Sequence, residues 1–144
     1  MQLDPAMKST SLRIEGSVAS GQGRGAQFLG LQWVRRELRR KAGLDPFPGT
    51  LNLRIPAGVW SDLYARRAGF LKIDDPSSGG CPGFLKRVVL QAHGQICSSA
   101  YLILPELTIY QDVLEIIAAE NLREKLGLKD GDPVRVEEFP ESTE

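Results

Sequence analysis

The chain has 144 residues, enough for one domain with a core of its own. Lys and Arg total 18, and so do Asp and Glu; the resulting formal net charge of zero argues against a dedicated nucleic-acid binder. No apolar run reaches the ~18 residues of a membrane span, and the start "MQLDPAMKSTSLRIEG" has no apolar signal core, so a cytoplasmic enzyme or binding module without a membrane partner is expected.

In chain order, "SLRIEGSVAS" alternates Leu12, Ile14 and Val18 with polar neighbours, interrupted by Gly16, which predicts a half-buried strand. The glycine-rich "GQGRGAQF" follows. From Phe28 to Ala42 the apolar residues Leu31, Val34 and Leu38 recur at helical spacing, with Gly43 as the C-cap and Arg35, Arg36, Arg39, Arg40 and Lys41 on the opposite side. That basic side is either a solvated face or an attractor of anions. "DPFPGT" is a turn, "LNLRI" a short strand, "VWSDLYARRAGF" a short helix and "IDDPSSGGCPG" a loop. "KRVVLQA" and "ICSSAYLILP" flank a tight turn and read as a hairpin, with His93 exposed beside Gly94. "DVLEIIA" is a strand, "ENLREKLG" a short helix closed by Gly127, and "DPVRVEEF" a last strand after the turn "KDGD". Residues 1–10 and 139–144 are expected to be frayed tails of a single domain spanning 1–144. The sum is a mainly β protein with one clear helix and one or two short ones, a barrel or sandwich rather than a βαβ fold. Cys81 and Cys97 with the lone His93 make neither a structural zinc site nor an expected disulfide.

The glycines at 21, 23 and 25 match neither a dinucleotide fingerprint nor a P-loop. They still share the physics of phosphate loops: without Cβ atoms, backbone N–H groups can converge on an anion ahead of a helix, and Arg24 can add charge. The alternative is a tight structural turn. "PGTLNLRI" is more specific. Strand alternation sends Leu51 and Leu53 to the core and Thr50 and Asn52 together to the other face. A hydroxyl and an amide oxygen suit magnesium rather than zinc, provided a polyphosphate supplies negative charge; otherwise the pair simply hydrogen-bonds a turn. Glu115 is the one carboxylate inside the apolar "VLEIIA", and it either faces solvent or lines a polar cavity.

"GQGRGAQF", "GLDPFPGTLNLRI" and "VLEIIAAENLREKLGLKDGDPVRV" occur in the order seen in the archaeal-type CTP-dependent riboflavin kinases, which the chain resembles from about Leu12 to Val136. The resemblance implies a closed six-stranded cradle-loop barrel that phosphorylates riboflavin with CTP to give FMN and CDP. It implies nucleotide contacts at Gly21, Gln22, Gly23, Arg24, Gly25 and Ala26 and again at Glu120, Asn121, Leu122 and Arg123. It implies a Mg2+ site at Thr50 and Asn52, flavin contacts at Thr108 and Glu115, and a catalytic role for Glu115. The 144 residues include no counterpart of the helix-turn-helix domain many members carry, and no nucleic-acid partner is expected. The loop 73–83 has no family counterpart, and Ala118-Ala119 replaces the usual Ala-Pro. Trp33, Trp60, Phe70, Phe84, Tyr101 and Tyr110 are the aromatic candidates for a flavin slot. A non-catalytic nucleotide- or flavin-binding barrel and a DNA-binding regulator with a related barrel are the competing classes.

Overall fold

Period-two alternation over short β-rich runs produces the strands of a closed sheet. A computed structural model describes residues 12–20, 24–75, 77, 82–106 and 112–140. Among these, the strands are β1 (Arg13–Ala19), β2 (Leu51–Arg54), β3 (Leu71–Ile73), β4 (Gly83–Ala92), β5 (Gln95–Pro105), β6 (Val113–Ala118) and β7 (Pro133–Glu138). The helices are α1 (Arg24–Leu29), α2 (Gln32–Ala42), α3 (Ala57–Ala65) and α4 (Leu122–Leu126), with a 3-10 turn at Arg67–Gly69. No helix among the described residues is long and apolar enough to cross a membrane.

The strands pair antiparallel in the order β4-β5-β6-β2-β1-β7, and β7 returns to β4 to close a six-stranded barrel. β5 occupies one edge of β4. The other edge is shared, with β7 on Val88–Gln91 and β3 on Gly83–Leu85. Val18, Leu53, Val88, Leu102, Ile116 and Val136, one from each barrel strand, belong to the interior core. Trp60 and Leu63 of α3 join them. A second cluster lies on the outer face, where Leu85, Ile103 and Ile117 meet Trp33, Val34 and Leu38 of α2.

The closed barrel matches the expected fold class, and several local expectations need correction. The helix expected over 28–42 is two helices broken at Gly30-Leu31, and Leu31 is 45% exposed instead of packed. Trp33 takes the buried place, because the break shifts the apolar stripe of α2 to 33, 34 and 38. The helix expected over 59–70 covers 57–65. Its predicted end becomes the 3-10 turn, and beyond it Leu71–Ile73, of which Ile73 was expected in a loop, form β3, a strand too short to show a period in sequence but paired along β4. Phe139, which ends the expected last strand, lies under the Arg87 guanidinium at 3.8 Å.

The stops are as the glycines indicate. Gly43 has φ 64° and donates to Arg39 O, and Gly127 has φ 63° and donates to Glu124 O. His93 and Gly94 both have positive φ, 52° and 74°, the backbone of a tight two-residue hairpin turn. Cys97 is a buried free thiol, and Cys81 lies outside the described residues.

Candidate active site

Three oxygen-bearing side chains meet on the outer face of the barrel. Thr50 enters β2 from a turn in which Phe47 N–H donates to Ala118 O and Gly49 N–H donates to Phe47 O. Two residues on, Asn52 sits opposite Glu115 of β6 on one side and Ala19 of β1 on the other. Thr50 Oγ1 lies 2.9 Å from Asn52 Oδ1 and 3.4 Å from Glu115 Oε1. Asn52 is only 6% exposed. A hydroxyl carries one hydrogen and can donate to only one of those acceptors. The cluster therefore holds more lone pairs than protons, a hard oxygen set that fits a small divalent cation. No group of three His, Cys, Asp or Glu side chains competes as a metal site among the described residues.

Glu115 stands at a chemical boundary. Its other cross-strand neighbour is Ile103, part of the apolar cluster under α2. A polar patch thus abuts an apolar one along a single row of the sheet. β1 runs through Ala19, opposite Asn52, straight into the glycine segment. Gly21, Gln22 and Gly23 lie outside the described residues, as does Thr108. Arg24, Gly25 and Ala26 were expected in a loop, but their backbone forms the first turn of α1.

A cleft of about 130 Å³ lies beside the oxygen cluster. Thr50, Phe47 and Gly49 line it from one side, and Glu120, Asn121, Leu122 and Arg123 from the other. The fold thus brings together two of the predicted segments, 50–52 and 120–123. Within this group, Leu122 is buried in the barrel core. Asn121 caps α4 by accepting from Glu124 N–H at 3.3 Å. Glu120 accepts from Lys125 Nζ at 2.5 Å, and Arg123 Nη2 donates to Asp130 Oδ1 at 2.9 Å. Arg123 is therefore already ion-paired rather than a lone charge.

The aromatic candidates divide by location. Trp60 and Phe84 are buried in the barrel core, and Phe70 packs against it. Trp33 and the half-buried Tyr101 belong to the outer cluster, and Tyr110 lies outside the described residues. Phe28 of α1 meets Trp33 edge-on at 5.9 Å. A Cβ on Gly83 would come within 3.0 Å of the Phe28 ring, so the missing side chain there makes room for it. No sequence pattern points to this contact, nor to the bond from Ser20 Oγ to Asp130 Oδ2 at 2.9 Å. Asp130 stood out only as part of a turn, because its partners are remote in sequence.

A family model labelled CTP-dep_RFKase and described as a domain of unknown function, DUF120, matches residues 18–137. The chain is 38% identical over 133 residues to a riboflavin kinase of Archaeoglobus fulgidus. It is 34% identical over 142 residues to one of Pyrobaculum islandicum and 31% over 138 residues to one of Saccharolobus solfataricus. The alignments cover 88%, 91% and 94% of this chain. They cover 54%, 62% and 79% of the relatives, so the chain spans less than two thirds of the first two proteins' length.

Proposed function

The chain belongs to the CTP-dependent riboflavin kinase family, and on that basis we propose that it transfers the γ-phosphoryl group of CTP to the 5′-hydroxyl of riboflavin. The bond from the γ-phosphorus to the β–γ bridging oxygen breaks, and a bond from that phosphorus to the ribityl oxygen forms. The products are FMN and CDP, with the hydroxyl proton released. The observation that carries this proposal is the Thr50–Asn52–Glu115 oxygen cluster beside a cleft lined by Asn121 and Arg123.

Phosphoryl transfer asks a protein mainly for alignment and for stabilisation of spread negative charge. Thr50 and Asn52 would hold Mg2+, which when bound neutralises charge on phosphate oxygens. Glu115 would accept a hydrogen bond from the acceptor hydroxyl, orient it in line with the γ-phosphorus and take its proton late in the reaction. Its position between Asn52 and Ile103 suits a substrate with a polar chain on an apolar ring. Backbone N–H groups of residues 21–26 would hold phosphates, and Thr108 would contact the flavin. Asn121 uses its side-chain oxygen in the helix cap, so its amide N–H groups are what it offers to the acceptor edge of a pyrimidine.

Incubation with riboflavin, magnesium and each of the four nucleoside triphosphates, with FMN read by chromatography, tests the proposal. FMN should form with CTP, little should form with ATP, and a chelator should stop the reaction. Equal or better use of ATP would remove the CTP preference. No FMN with any nucleotide, alongside retained CDP binding, would leave a binding module instead.

A further inference from the structure

Asp130 lies in the turn between α4 and β7, and its two oxygens face in different directions. Oδ2 accepts from Ser20 Oγ and Oδ1 from Arg123 Nη2, each at 2.9 Å. Ser20 immediately precedes Gly21 of the glycine segment. Arg123 lines the cleft with Thr50 and Asn121. One carboxylate therefore ties the entry of the glycine segment to the α4 side of the cleft. We propose that Asp130 is a positioning residue for the nucleotide, acting through Arg123, with the Ser20 hydrogen bond holding the carboxylate in place. The inference rests on the kinase assignment above and adds a residue to it.

The carboxylate is not needed to shape its own turn. Val18 N–H donates to Asp132 O at 2.9 Å and Gly131 N–H to Val18 O at 2.8 Å. Asp132 Oδ2 accepts from Lys129 N–H at 2.8 Å, and Gly131 supplies the positive φ of 92°. These bonds remain when Asp130 is replaced. The Arg123–Asp130 side chains are 39% and 60% exposed, and exposed ion pairs add little to stability. What the bond does provide is direction. An arginine side chain on a surface helix samples many rotamers, and a fixed partner restricts its planar fork to one orientation. Asp130 engages one of five guanidinium N–H groups through the bond described, and the others retain the capacity to donate to a phosphate or pyrimidine oxygen. The Ser20 hydrogen bond first, and the Arg123 hydrogen bond second, hold the Asp130 carboxyl below its ordinary range, so it is charged near neutral pH.

The test uses Asp130→Ala, Arg123→Ala and the double variant, with CDP and riboflavin affinities measured by calorimetry. Asp130→Ala should weaken CDP binding by about tenfold, the size of one charged hydrogen bond, with riboflavin affinity unchanged. On the Arg123→Ala background the same change should cost less than about twofold in CDP affinity, because positioning through a partner is non-additive. A merely structural role would lower affinity for both ligands, or add fully in the double variant, and either result overturns the inference. Unaltered CDP affinity in Asp130→Ala also overturns it, even if wild-type protein makes FMN. Wild-type protein that makes no FMN but shows the expected CDP pattern overturns the kinase assignment alone. Wild-type protein that binds no CDP overturns both.

Discussion

Glu115 lies in β6 between Leu114 and Ile116, both fully buried in the barrel core, while its own face carries the half-buried Val113 and the buried Ile117. A charge there needs polar neighbours, and Thr50 and Asn52 supply them across the strand pair. Glu115→Gln keeps the volume and some hydrogen bonding but removes charge and basicity. Turnover should fall by about 10² or more if the carboxylate acts as a general base. A loss confined to riboflavin affinity would assign it positioning only, and an unchanged folded variant would take it out of the site. Alternation in "TLNL" was enough to pair Thr50 with Asn52. It could not supply Glu115, which meets Thr50 from 65 positions away.

α2 combines a legible end with an unforeseen interior. Its C-cap follows from Gly43, but Glu37 lies on the buried side at 7% exposure. Arg40 donates to it through Nε at 3.1 Å and Nη2 at 2.7 Å, and Lys41 lies 3.5 Å from it. The Arg40 hydrogen bond is the main cause that holds the Glu37 carboxyl below its ordinary range, against desolvation, with the charges of Arg40 and Lys41 assisting. A carboxyl whose folded value is lowered stabilises the protein above the unfolded value, about 4.3 for Glu, and that contribution is lost as pH falls through the folded value. Glu37→Gln should therefore melt below wild type at pH 7, with the gap constant down to about pH 5 and closing below about pH 4. A gap that does not shrink at all between pH 5 and pH 3 would trace the effect to packing instead of charge. The basic residues 35, 36, 39, 40 and 41 are all exposed, but several are engaged: Arg36 with Asp75, Arg39 with Asp45, and Arg40 and Lys41 with Glu37.

Barrel closure explains the glycine that broke the alternation of β1. A Cβ on Gly16 would meet Leu53 Cβ at 3.1 Å, Arg54 O at 3.2 Å and Ile55 Cγ2 at 3.2 Å. β1 and β2 approach too closely there for a side chain, at the strand pair that delivers Ala19 beside Asn52. Gly16→Val should destabilise the fold by about 1–3 kcal/mol through overpacking, read from the midpoint of denaturant unfolding. An unchanged midpoint would mean that the two strands can separate at no cost.

Some features were already decided by short stretches of chain, because their physics is local. The faces of Leu51 and Leu53 against Thr50 and Asn52 follow from strand geometry. Gly43, Gly127 and the His93-Gly94 turn sit where a positive φ ends or reverses an element. Other features depend on pairing energies that no local window contains. β7 returns to β4 because closure leaves fewer open edges, β3 exists only as a partner of β4, and the break at Gly30-Leu31 turns Trp33 inward against Ile103 and Ile117. The site belongs mostly to this second group: Asn52 meets Glu115 and Ser20 meets Asp130, 110 positions on, only because the barrel's register sets them side by side.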